Sequence, residues 1–214
     1  MSVYQRPAWR ESVFRDAAGA VIEYGSRWGS EGPPADTYSV DTHPERFAPL
    51  HLVADALIKH LAETYDVRVS HDPANAADFV RQTEFLRVTR LAPADPAAAS
   101  LTFGFIGYPG VVLHAGLLHD FAYPDCGCDA CDETATDQAD QLEWHVLAVA
   151  AGNYREDYTP GAQLPLSFFL RMEGELGSRG GKSQATGYPI EQLAAAGERL
   201  RELPNGWVPW PIRM

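Results

Sequence analysis

Outside one six-residue window this chain of 214 residues has no cysteine. A disulfide framework is therefore excluded for almost its whole length, and the core must hold by burial alone, which a chain of this size can do. Lysine is nearly as scarce: of the 17 basic residues only Lys59 and Lys182 are lysine, and between Arg90 and Arg155 there is neither Lys nor Arg. No apolar run approaches the about 20 residues that cross a bilayer. The first residues lack the charged-then-apolar pattern of a secretory signal. A cytoplasmic protein is the expectation. With a net charge of −12 the chain repels phosphate backbones and anionic lipid, and no basic stretch is interleaved with aromatics. Nucleic acid and membrane are thus excluded as expected partners, whereas a basic protein partner fits the charge.

Recognisable catalytic motifs are also missing. There is no G-x-S-x-G elbow and no H-E-x-x-H pair. Residues 177–183 (Gly-Ser-Arg-Gly-Gly-Lys-Ser) fall one position short of a P-loop and are expected to form a loop. Gly104-Phe105-Ile106-Gly107-Tyr108-Pro109-Gly110 does not fit the dinucleotide fingerprint and reads instead as a strand running into a turn.

What is present is an ordinary globular balance, 45% apolar and 21% charged. Phe47, Leu50, Ala54, Leu57, Ile58, Leu61 and Tyr65 recur at helical spacing and predict a helix over 44–65. Further helices are expected over 136–153 and 189–203. Alternating or β-rich runs at 67–71, 85–91, 101–106, 111–121 and 165–173 predict strands, joined by tight turns that imply antiparallel pairing. Residues 13–16 and 20–24 flank Ala17-Ala18-Gly19 as a small hairpin within an irregular N-terminal arm, 1–46. Trp207-Val208-Pro209-Trp210-Pro211 cannot be helical and predicts an aromatic strap over 204–214. The expected architecture is one α+β domain spanning 1–214, mainly an antiparallel sheet with about three helices packed to one side.

The chemistry is concentrated in Asp125-Cys126-Gly127-Cys128-Asp129-Ala130-Cys131-Asp132-Glu133. Soft thiolates in a C-x-C-x-x-C run suit zinc, often three Cys with one further ligand. Cys126, Cys128, Cys131 and, as the fourth ligand, His119 form the expected metal set. His145, Asp125, Asp129, Asp132, Glu133 and water are the alternatives for the fourth place. Three thiolates added to carboxylates in an interval without Lys or Arg would repel one another, which a divalent cation would relieve. Two rival readings stay open at this point. One is redox chemistry at Cys128-Asp129-Ala130-Cys131 ahead of a helix; the other is a set of inert buried thiols.

The octet Cys126-Gly127-Cys128-Asp129-Ala130-Cys131-Asp132-Glu133, with Tyr24-Gly25-Ser26-Arg27-Trp28 and Pro44-Glu45-Arg46-Phe47-Ala48-Pro49-Leu50-His51, resembles a family of uncharacterised actinobacterial proteins of about this length. The resemblance implies a bacterial source, in keeping with the excess of Arg over Lys, and carries no catalytic residues with it. The functional expectation is a soluble zinc-binding protein with a structural cysteine loop, acting as a binding or scaffold protein. A metal-dependent hydrolase open near His119 and Asp120, or a thiol redox sensor, are the alternatives.

Overall fold

The apolar stripe near residue 50 is realised as α1, Pro49–Thr64, which buries Leu50, Val53, Ala54, Leu57, Ile58 and Leu61. The computed structural model describes residues 3–10, 12–81, 83–171 and 177–214. The expected helix over 44–65 is divided. Pro44–Phe47 forms a separate 3-10 turn, and α1 starts afresh at Pro49, which has no N–H to continue an i→i−4 ladder.

Five strands follow α1 and precede the second helix: β1 Val67–Ser70, β2 Phe85–Pro93, β3 Leu101–Ile106, β4 Gly110–Ala115 and β5 His119–Tyr123. They pair antiparallel in chain order. The run expected over 111–121 is two strands, not one. Gly116, at φ +70°, turns the chain so that Ala115 pairs with His119 and His114 with Asp120. Leu101, Phe103 and Phe105 of β3, with Val111 and Leu113 of β4, are buried in the main core.

α2, Ala135–Ala150, is capped by Thr134, whose side chain accepts the Asp137 N–H. A second antiparallel sheet then forms from β6 Tyr154–Tyr158, β7 Leu166–Arg171 and β8 Ser178–Ser183. α3, Ile190–Arg201, completes the regular elements. The α+β class and antiparallel pairing agree with the sequence expectation, with the strands shared between two sheets. α1 packs on β1 and β4, α2 on β5 and β7, and α3 on β6, so α2 spans both sheets.

The stretch expected to be a loop at 177–183 is strand β8. Its glycines lie flat on phenylalanine: a Cβ on Gly181 would come within 2.8 Å of the Phe168 ring. Residues 172 and 173, the end of the strand expected over 165–173, lie outside the described residues. In the arm the hairpin is one β-bridge, Arg15 to Val21. The strap docks through Trp207 and Trp210, both buried. The Trp210 indole N–H donates to Ala99 O at 2.8 Å, and Ile212 bridges to Tyr65.

Candidate metal centre

The cysteine loop joins β5 to the N-terminus of α2, and it brings its sulfurs together. Cys126 Sγ lies 3.3 Å from Cys128 Sγ, which lies 3.5 Å from Cys131 Sγ. All three fall within 4.8 Å of one another. Zinc–sulfur bonds of about 2.3 Å at tetrahedral angles separate sulfurs by roughly 3.8 Å, so a single ion fits among them with small adjustments. The thiols are free; Cys128 is buried, and Cys126 and Cys131 are exposed.

Two residues with positive φ shape the loop, Gly127 at +81° and Asp132 at +52°. Gly127 is needed for space as well, because a Cβ there would meet Tyr108 Oη at 2.4 Å. The Glu133 carboxylate accepts the N–H groups of Cys126 (3.3 Å) and Gly127 (2.6 Å) and the Gln138 amide (2.9 Å). Arg46, only 5% exposed, reaches in from the 3-10 turn. It donates Nη2 to Gly127 O (2.7 Å), Nε to Glu133 O (3.2 Å) and Nη1 to His43 O (2.9 Å). Its guanidinium stacks between Tyr24 and Phe47, 4.3 Å from each ring centre.

The N-terminal arm covers the other side of the loop. Asp129 and Ala130 donate their N–H groups to Val40 O (2.7 Å) and Thr37 O (3.1 Å). Thr42 donates its hydroxyl and N–H to the Asp129 carboxylate. Arg27 donates its N–H to Asp132 Oδ2 at 2.8 Å and holds its guanidinium 3.8 Å from Asp129 and 4.0 Å from Asp132. Sequence reasoning had offered Asp129, Asp132 and Glu133 as spare ligands. Each is instead committed to fixing the loop. The charge argument is corrected with them: the cation-free interval from Arg90 to Arg155 receives Arg27 and Arg46 from about a hundred residues upstream.

The sulfurs differ in acidity. Burial raises Cys128, but the Cys131 backbone, the thiols of Cys126 and Cys131 and the Ser39 backbone outweigh it and lower the group to about 7. Cys131 is pushed up to about 12 by its hydrogen bond with the Cys126 thiol, by burial and by Cys128. Ser39 serves Cys128 from a left-handed backbone, φ +58°, which turns its N–H toward the sulfur.

His119, expected as the fourth ligand, is not in the sulfur group; among the described residues that group contains the three cysteines alone. His119 Nδ1 pairs with Glu156 Oε2 at 3.0 Å, and its ring packs beside Phe121 and Phe168. The reason is its place at the start of β5, beyond the Gly116 turn, while the cysteines follow the strand's far end. Asp120, its neighbour, pairs with His114 Nδ1 at 2.7 Å, so His119 and Asp120 serve separate networks. His145 is fully buried in α2, with Nδ1 2.9 Å from the Tyr123 hydroxyl. The residues missed from sequence are Arg27, Ser39, Thr42 and Arg46. Arg27 and Arg46 do lie inside the two short segments, 24–28 and 44–51, that accompany the cysteine octet in the family resemblance, and that was the available signal.

Fold and site together define an α+β protein with a three-thiol loop clasped by its own N-terminal arm. Residues 10–214 match the model of a family of unknown function, DUF6226, and the chain belongs to that family. No curated protein and no solved structure matches it. Among the described residues no helix is long and apolar enough to cross a membrane.

Proposed function

We propose that the protein binds one zinc-type ion through Cys126, Cys128 and Cys131, and that the ion is structural, ordering a loop in a binding or scaffold protein of a reducing cytoplasm. The convergence of three Sγ atoms within 4.8 Å carries this reading. Thiolate donors favour zinc over hard cations, and beside them the Asp129 and Asp132 carboxylates are occupied by the arm and that of Glu133 by the loop N–H groups and Gln138. Water or a side chain of a partner supplies the fourth position, on the side where Cys126 and Cys131 are exposed. The acidic surface suits a basic protein as that partner.

Elemental analysis of protein purified under reducing conditions without added metal tests the reading. About one zinc per chain is expected, with cobalt replacing it to give thiolate charge-transfer bands that the Cys126→Ser/Cys128→Ser/Cys131→Ser variant lacks. Metal-free protein that also stays colourless with cobalt would refute it.

Thiol redox chemistry is a second reading, favoured by the placement of the Cys128 sulfur within 3.5 Å of both neighbours. A disulfide to either requires little movement. Mass spectrometry after mild oxidation would then find one Cys128-linked disulfide and no bound zinc beforehand. For the hydrolase alternative no comparable observation exists, since His119 and Asp120 are each tied up elsewhere.

A further inference from the structure

Residues 27–42 contain one short 3-10 turn, Ala35–Thr37, and no strand. Among the described residues, every hydrogen bond that leaves this segment ends between Cys128 and Asp132. Arg27 N–H and the Trp28 indole N–H reach Asp132 and Asp129 O, Thr42 reaches the Asp129 carboxylate, and Thr37 O and Val40 O accept from Ala130 and Asp129. The Ser39 backbone faces the Cys128 sulfur. Sixteen residues of chain are thus tied down by five residues of loop.

The loop presents those groups only in one conformation, with Gly127 and Asp132 both at positive φ. Within residues 126–131 a single backbone hydrogen bond, Cys131 N–H to Cys128 O, holds the turn. Ordering a residue costs about 1–2 kcal/mol of backbone entropy. Glu133 and Arg46 hold Cys126 and Gly127 from outside the turn, whereas among the described residues Cys128 to Cys131 are bonded only to one another, to the Cys126 sulfur and to the arm. An ion bound by three sulfurs pins Cys126, Cys128 and Cys131 at once.

We propose that metal occupancy of the cysteine loop governs docking of residues 27–42, making the arm a metal-linked clasp. The proposal rests on the metal-binding reading above and adds to it a consequence about 100 residues away in sequence. Linkage makes the relation reciprocal: what loosens the arm weakens the metal by the same factor.

Hydrogen exchange read by mass spectrometry on the full chain tests it, comparing zinc-loaded protein with protein stripped by a chelator under reductant. Peptides covering 27–42 and 127–133 are expected to exchange at least about ten-fold faster after stripping, while Leu101–Ala115 across β3 and β4 is unchanged. Unchanged exchange in 27–42 with zinc verifiably gone would overturn the clasp and leave metal binding standing. Where stripping unfolds the sheet as well, the double variant Arg27→Ala/Thr42→Val decides, because it removes the arm's side-chain contacts with the Asp129 and Asp132 carboxylates without touching a sulfur. Zinc-loaded Arg27→Ala/Thr42→Val is expected to exchange faster in 27–42 and to bind zinc about ten-fold more weakly in competition with a chelator. Wild-type zinc affinity in that variant would overturn the proposal. Absence of bound zinc from untreated and zinc-supplemented protein alike sinks the metal reading and the clasp together.

Discussion

Replacing Arg46 with methionine, Arg46→Met, removes the group on which the cysteine loop is built while keeping much of its length and apolar stem. The side chain is 5% exposed, so solvent does little to screen its contacts. It donates to three carbonyls, at 2.7, 2.9 and 3.2 Å, and a hydrogen bond from a charged donor contributes about 1.5–3 kcal/mol. Methionine removes all three of these bonds, leaving Gly127 O to the Tyr108 hydroxyl and His43 O to the residue-46 N–H, and also removes the stacking on Tyr24 and Phe47. Contacts made by one side chain do not add fully, so about 4–6 kcal/mol is the expected loss. That is a large share of the roughly 5–15 kcal/mol that holds a domain together. With a urea slope of about 2 kcal/mol per M, the midpoint of zinc-loaded protein should fall by about 2–3 M. Arg46→Lys keeps the charge but loses the planar fork, and should recover less than half of the loss. A midpoint shift below about 0.5 M for Arg46→Met, equivalent to about 1 kcal/mol, would refute the view that Arg46 templates the loop.

Gly116→Ala should cost about 4 kcal/mol or more by urea unfolding. A left-handed backbone alone costs about 1–2 kcal/mol, and the new Cβ would lie 1.9 Å from Glu156 Oε1. That shifts a carboxylate that accepts the Leu117 and Leu118 N–H groups and the Trp207 indole. Gly19→Ala has a similar φ and open space around it, so equal losses in the two variants would show that Glu156 is not the cause. Burial, with smaller contributions from Arg179 and His119, lowers His145 to about 3. Its folded pKa lies below the unfolded value of about 6.5, so its contribution is complete above pH 6.5 and fades as pH falls toward 3. Urea midpoints for wild type should drop between pH 7 and 4 more steeply than for His145→Gln, and parallel slopes would contradict the assignment. Trp210→Ala should cost about 3–5 kcal/mol for the lost ring, and Trp210→Phe about 1–3 kcal/mol for the orphaned Ala99 carbonyl. Thermal unfolding of the two variants side by side checks the strap.

Where one residue type at one spacing decides the outcome, the sequence was legible. The stripe from Leu50 to Leu61 allowed one helix face, and prolines 209 and 211 forbade a helix in the strap. Three cysteines within six residues could scarcely avoid one another. The illegible features depend on partners distant in the chain. β8, with the sequence Ser-Arg-Gly-Gly-Lys-Ser, has no strand propensity of its own, and it is a strand because Phe168 of β7 needs glycine opposite it. β6 reads Tyr-Arg-Glu-Asp-Tyr, and nothing local reveals that Glu156 is buried to receive donors from the Gly116 turn and the strap. The same blindness misplaced His119. Its distance from Cys126 in sequence looked short, but a carboxylate 37 positions later captures its Nδ1.

The charge around the sulfurs has to be counted in space and not along the chain. Read linearly, three thiolates added to many acids with no base call for a cation to relieve the repulsion of the whole group. In the fold, Arg27 sits beside Asp129 and Asp132, and Arg46 lies under the loop carbonyls, so the carboxylates make no such demand. The sulfurs remain. Two arginines already engaged by carboxylates and carbonyls have little left to offset three thiolates 3–5 Å apart, and thiolates at that spacing repel strongly. Either the sulfurs stay largely protonated or a divalent ion sits among them. The case for a metal therefore rests on the thiols alone. The carboxylates of Asp129 and Asp132 hold a different office: they fasten the loop to the arm, and through them the proposed clasp carries metal binding at the sulfurs to residues 27–42.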